Sequence, residues 1–240
     1  VVLWPSLFSD HRLYRHVVEM LGPRWRSISV DGPGFGRSTP PDGDVQPERY
    51  AGVVVDVLDE LGIDAAIVAG CSWGGQVAAH TGVQYPQRTT AVLMMNTPLA
   101  PNLGGHRFLL AGTRVIGSTA LWGRGTARSM IAPHAKQEHP ERVDEFVSAF
   151  RSFDRSAATA TVRTVLTRSP GLAAVLPQLQ VPTTILMGAQ DALYPVDAAL
   201  PLARLVPDAT IEIVPSCGHL APLEAPEAVV AVLESLARNS

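Results

Sequence analysis

Three side chains of this 240-residue chain are of the types that together make a nucleophile: Ser72, Asp191 and His219, in that order. A serine hydroxyl attacks poorly until a base takes its proton, and an imidazole serves best when a carboxylate orients it. Each of the three follows a short apolar, β-rich run: Ser72 follows AIVAGC, Asp191 follows TTILMGAQ and His219 follows TIEIVPSCG. Ser72 is also the centre of Gly70-Cys71-Ser72-Trp73-Gly74, a G-x-S-x-G pattern between a predicted strand and a predicted helix. A turn that tight forces an unfavourable backbone angle on its central residue. It also leaves no room for side chains two residues to either side, a condition that Gly70 and Gly74 meet. The helix N-terminus that follows favours developing negative charge. The competing role for Ser72 is a plain helix cap.

The seven histidines differ in setting. His11 and His16 fall in or beside the first predicted helix, His80 lies inside the helix after the serine, and His106, His134 and His139 lie in a central helical stretch. His219 follows the last predicted strand, and Gly218 gives its backbone freedom. Asp191 follows the preceding strand, whereas Asp197 is placed to cap the next helix.

The elements that must position these groups alternate. Strands are predicted at residues 1–4, 25–30, 65–70, 90–95, 183–187 and 210–214, and helices at 12–21, 50–61, 75–85 and 226–237. This rhythm predicts an α/β, doubly wound, mostly parallel sheet of about six strands, built from residues 1–97 and 181–240. Residues 98–180 lack a strand pair and contain helical stretches near 141–153 and 157–167, so a helical cap is expected there. Parallel strands end at one edge, which brings together residues far apart in sequence.

Composition is globular, with 46% hydrophobic and 17% charged residues, and net charge is −3. That balance argues against nucleic acid as the main partner. Residues 101–180 carry ten basic and five acidic side chains, leaving −8 for the remainder. A basic cap could dock on an acidic base or draw anionic substrates, and the plainer reading is solvated helix faces. Two cysteines, Cys71 and Cys217, make neither a disulfide framework nor a zinc site and suit a reducing, cytoplasmic setting. No apolar run is long enough to cross a bilayer, no signal peptide is visible, and a start at Val1 inside an apolar run suggests that residues precede it. Gly32, Gly34 and Gly36 space as G-x-G-x-G ahead of Pro-rich sequence, which is not a dinucleotide loop.

Four blocks, VVLWPSLFSD, DGPGFGRS, GCSWGG and the pair GAQD and GHLAPLEAPE, make the chain similar to the α/β-hydrolase fold family. The resemblance spans nearly the whole chain. It implies Ser72 as nucleophile, His219 as base, Asp191 as orienting acid, and an oxyanion hole from the main-chain N–H groups of Leu7 and Trp73. Pro5-Ser6 stands where His-Gly is usual, which bears on the shape of the loop carrying Leu7. The family sheet opens with two further strands, so this chain is expected to start at the third and to hold six parallel strands. GCSWGG, Asn96-Thr97 and a helical cap resemble the 3-oxoadipate enol-lactonase and small-ester hydrolase group. The implied activity is hydrolysis of a small-molecule ester or lactone, with no metal or organic cofactor. Alternatives on the same fold are a triad-bearing small-ligand receptor and a carbon–carbon bond hydrolase or cofactor-free lyase. Phe108, Trp122, Met130 and Phe146, with Phe150 and Phe153, are expected either to wall the substrate or to pack the cap. Arg107, Arg124 or Arg128 is a candidate partner for a substrate carboxylate, and Cys71 and Cys217 are expected to be packing residues. Nothing in the sequence sets an oligomeric state.

Overall fold

The computed structural model describes the chain except for residues 42, 44, 45, 101–110, 113, 118, 169, 170 and 240. Its sheet has six strands: β1 (Val2–Trp4), β2 (Ile28–Ser29), β3 (Ala66–Cys71), β4 (Thr89–Met95), β5 (Thr183–Gly188) and β6 (Thr210–Val214). Their spatial order is β2-β1-β3-β4-β5-β6, and every neighbouring pair is parallel. β3 and β5 are buried along their whole length, and β4 all but wholly. A parallel strand covered on both faces reads as an unbroken apolar run, as AIVAG and AVLMM do. β2 is two residues long, shorter than the predicted 25–30, because it is an edge strand with one neighbour.

The chain moves outward from β1 to β2, then back across β1 to β3. Right-handed crossovers therefore place helix α1 (Arg15–Leu21) on one face and α2 (Pro47–Glu60) and α3 (Trp73–Gln84) on the other. The C-terminal helix α10 (Pro226–Arg238) packs on α1. The first predicted helix starts instead as a 3₁₀ turn, His11–Tyr14, because the buried Asp10 carboxylate accepts the Arg12 N–H at 3.0 Å. Asp197 lies inside the first turn of α8 (Val196–Ala203), and Pro195 holds the N-cap position expected of Asp197. Among the described residues no helix is long and apolar enough to cross a membrane.

Between β4 and β5 the described chain forms α4 (Ala120–Met130), α5 (Pro133–Glu138), α6 (Pro140–Ser152) and α7 (Arg155–Arg168). They join the sheet through rings. Phe150 lies 5.4 Å from Phe8 and 5.0 Å from Phe153, and Phe153 lies 5.6 Å from Phe35. Phe8 is in the loop after β1 and Phe35 in the loop after β2, so the helices rest on the two loops that leave the sheet edge. Among the described residues, ion pairs across this junction run opposite to the sense a basic cap docking on an acidic base would give. Arg15 and His16, on the sheet side, meet Glu145 of α6 at 2.7 and 3.0 Å. The basic excess of residues 101–180 instead lies largely on exposed helix faces, as at Arg124, Arg128, Arg151 and Arg155.

The tightest packing lies where β3 turns into α3. A Cβ on Gly70 would overlap the Gly74 carbonyl, and one on Gly74 would overlap the Trp4 carbonyl oxygen and sit 2.7 Å from that of Pro5. All of these obstacles are backbone. Ser72 between the glycines has φ 58° and ψ −122°, a conformation that non-glycine residues rarely hold and that costs on the order of 1–3 kcal/mol. Gly74→Ala should therefore lower the urea midpoint by an amount worth about 1–3 kcal/mol. Phe150→Ala, which empties the aromatic junction, should cost about 3–5 kcal/mol by the same measurement.

Candidate active site

Because all strands are parallel, the loops after β1, β3, β4, β5 and β6 emerge at one edge, and each brings a residue to the site. Ser72 follows β3 and is 6% exposed. Its N–H donates to the Met95 carbonyl at 2.8 Å, locking the turn to the end of β4. Ser72 occupies the N-cap position of α3, yet its side chain makes no capping hydrogen bond. The capping role is thus excluded and the hydroxyl is left for other work.

His219 and Asp191 meet after β6 and β5. His219 Nδ1 lies 2.8 Å from Asp191 Oδ2, with both side chains almost wholly buried. Asp191 Oδ1 accepts the N–H groups of Leu193 and Tyr194 at 2.9 and 3.1 Å. Burial resists ionisation of this carboxyl, but His219 and the two N–H donors outweigh it and hold it below the usual carboxylate range. A carboxylate on Nδ1 keeps the proton on that nitrogen and turns Nε2 into the acceptor. The Cys71 thiol touches the His219 carbonyl at 3.5 Å, so the elbow and the histidine loop lie side by side. Among the described residues Ser72 Oγ and His219 make no direct hydrogen bond.

The loop after β1 reaches the elbow through the Gly74 contact. It is wired internally: the Tyr14 hydroxyl donates to the Trp4 carbonyl at 2.8 Å, and the Ser9 hydroxyl to that of Ser6 at 2.9 Å. Phe8 takes a left-handed φ of 64°. Leu7 and Trp73 are buried, and their N–H groups make no hydrogen bond among the described residues. The Ser6 hydroxyl is buried without a partner as well. The Pro5-Ser6 departure thus leaves unpaired main-chain donors beside the elbow.

Of the other expected residues, Met130 is nearest the histidine, since its carbonyl accepts the His219 N–H at 2.7 Å. Trp122 is half-buried on α4. Phe146 packs on Phe150 at 5.9 Å and lines a cavity of about 280 Å³ with Ser9, Arg12 and Leu223. Ser72, Asp191 and His219 do not line that cavity. Phe108 and Arg107 lie outside the described residues. Arg124 pairs with Asp144 at 2.8 Å on an exposed face, and Arg128 is exposed, so neither sits as a partner for a substrate carboxylate. Cys71 and Cys217 are free and buried, and burial pushes both thiols up, which keeps them protonated.

Three residues at or near this edge had no assigned part in the sequence reading. Asn96, after β4, has φ 48° and donates Nδ2 to Asp191 Oδ2 at 3.2 Å and to the Gly218 carbonyl at 2.9 Å. The resemblance marks Asn96 only as part of Asn96-Thr97 and gives it no role, and Asn tolerates that backbone conformation. Asp31 opens the DGPGFGRS loop and accepts the Arg37 N–H at 3.0 Å and the His11 N–H at 2.9 Å. It also meets His11 Nδ1 at 2.7 Å, a second His–Asp pair, but this imidazole is 40% exposed. Glu224 is a buried acid just beyond His219.

A family model described as the alpha/beta hydrolase fold matches residues 1–226. A Pseudomonas 2-hydroxy-6-oxononadienedioate/2-hydroxy-6-oxononatrienedioate hydrolase is 28% identical over 92% of this chain and 80% of its own length. The 3-oxoadipate enol-lactonase 2 of Acinetobacter baylyi is 24% identical over 98% of this chain and 86% of its own. Among solved structures, a thermophilic esterase from Thermogutta terrifontis superposes with a TM-score of 0.89 at 24% identity, covering 99% of this chain and 89% of the esterase. With its six parallel strands and flanking helices, the chain belongs to the alpha/beta hydrolase fold family.

Proposed function

We propose that this protein is a serine hydrolase of small-molecule esters or lactones, acting in the cytoplasm through an acyl-enzyme on Ser72. The observation that carries the reading is the buried His219–Asp191 pair, set beside a strained serine whose hydroxyl does not cap its helix. His219 Nε2 takes the Ser72 proton as Oγ adds to the substrate carbonyl. The N–H groups of Leu7 and Trp73 stabilise the tetrahedral oxyanion. His219 returns the proton to the leaving alkoxide, which departs as an alcohol or, from a lactone, stays tethered to the acyl group. Water, deprotonated by His219, adds to the acyl carbonyl, and the collapse of that intermediate restores the Ser72 hydroxyl and releases the acid. The Ser72–His219 hydrogen bond forms as substrate binds, since such contacts tighten in the Michaelis complex.

Two relatives, by name, act on a hydroxy-oxo-dienedioate and on 3-oxoadipate enol-lactone. A substrate panel therefore includes esters, lactones and vinylogous 1,5-diketone acids. Preference for the last class would favour carbon–carbon cleavage by the same nucleophile.

A fluorophosphonate probe should label the native protein and leave Ser72→Ala unlabelled; an unlabelled native protein sinks the reading. Asp191→Asn should lower kcat roughly 10⁴-fold, because the carboxylate that selects the imidazole tautomer is lost. Asp191 is held below the usual carboxylate range, so kcat/KM against pH should show no step in that range from loss of its charge.

A further inference from the structure

Glu224 closes the short helix α9 (Ala221–Glu224), five residues after His219, and is 8% exposed. Its carboxylate contacts backbone N–H groups. Oε1 accepts from Leu220 at 2.8 Å, and Oε2 from Gly218 at 2.9 Å and from Ala132 at 2.7 Å. Leu220 and Gly218 flank His219 on both sides, and Ala132 lies between α4 and α5. From the same stretch, the Met130 carbonyl holds the His219 N–H at 2.7 Å. Buried Arg142 of α6 donates Nη1 to the Glu224 carbonyl at 3.0 Å. The approach leaves no slack: a Cβ on Gly218 would lie 2.7 Å from the Ala132 nitrogen and 2.9 Å from Glu224 Oε2.

Burial penalises an acid at this position and pushes its carboxyl up, against the pull of the three N–H donors and His219. An apolar side chain would avoid that cost but would strand three buried N–H groups. The group is therefore best understood by what it holds. We propose that Glu224 is a positioning residue for the base: one buried acid clamps the backbone on both sides of His219 and fastens it to the chain joining α4 and α5. The imidazole is thereby set by the helical segment as well as by Asp191. A shift of the segment toward or away from the sheet moves the base relative to Ser72.

This inference rests on the reading of Ser72 and His219 as nucleophile and base, and its test has one readout that does not. Glu224→Gln keeps the shape but turns one acceptor into a donor facing an N–H. Glu224→Asp keeps the charge but shortens the side chain by one methylene, so it loosens the same contacts, and it serves as the second variant if the first fails to fold. Turnover is measured per Ser72 titrated with fluorophosphonate, which corrects for misfolded protein. Glu224→Gln should lower kcat roughly 10- to 100-fold, the scale of a misplaced catalytic group, with KM within about twofold. Glu224→Asp should lower kcat in the same direction. By proton NMR, the downfield resonance of the His219 Nδ1–H shared with Asp191 should broaden or shift in both variants. A folded variant with parental kcat per titrated site and an unchanged resonance overturns the proposal. If the native protein is not labelled but the resonance still shifts in the variants, the positioning role stands and the hydrolase reading falls.

Discussion

The close approach of two backbone segments governs the rest of the site. The start of α3 lies against the carbonyls of Trp4 and Pro5, with Gly74 at the contact and Gly70 closing the turn from the other side. Only a chain without side chains at those two positions can make the turn, and the turn puts Ser72 at its strained φ of 58°. The same contact brings the Leu7 loop to the amide of Trp73. The proposed nucleophile and oxyanion donors are therefore products of one steric condition, with the strain offset by the packing of the core strands around it.

Around that contact, two buried carboxylates do different jobs by keeping different company. Asp191 faces an imidazole, a side-chain amide and two N–H groups, and is held ionised. Glu224 faces three backbone N–H groups on two segments, with burial pressing the other way. The first sets the orientation of a ring, and the second sets the position of the backbone that carries it. The two thiols nearby are made inert by burial, so neither competes with Ser72 as the proposed nucleophile.

Much of this was legible in the residues. An apolar run followed by a turn is a local signal, and Ser72, Asp191 and His219 each stand just after one; the parallel sheet brings them to one edge. Asn96 was less legible, because one Asn after a strand looks like any turn residue. Glu224 was invisible as a clamp, because its partners at 132, 218 and 220 include one ninety-two residues away and all are main-chain atoms, which side-chain identity does not mark. Net charge left two readings of the basic excess, and the plainer one, solvated helix faces, is what the exposed arginines show. The docking alternative finds no support among the described ion pairs, where Arg15 and His16 lie on one side and Glu145 on the other. Pairing depends on which face a side chain occupies, and composition averages over faces.

The aromatic junction gives the helical segment a part in more than enclosing a ligand. Phe150 and Phe153 rest on Phe8, the residue after Leu7, and Phe8 is held in a backbone conformation that permits little adjustment. On the proposed function, repacking these rings to admit a bulkier acyl group would shift the loop that carries the Leu7 donor. Substrate range and intrinsic rate would then be mechanically geared. Directed evolution confined to the helical segment would meet a trade-off between them, and escaping it would require paired changes on both sides of the ring cluster.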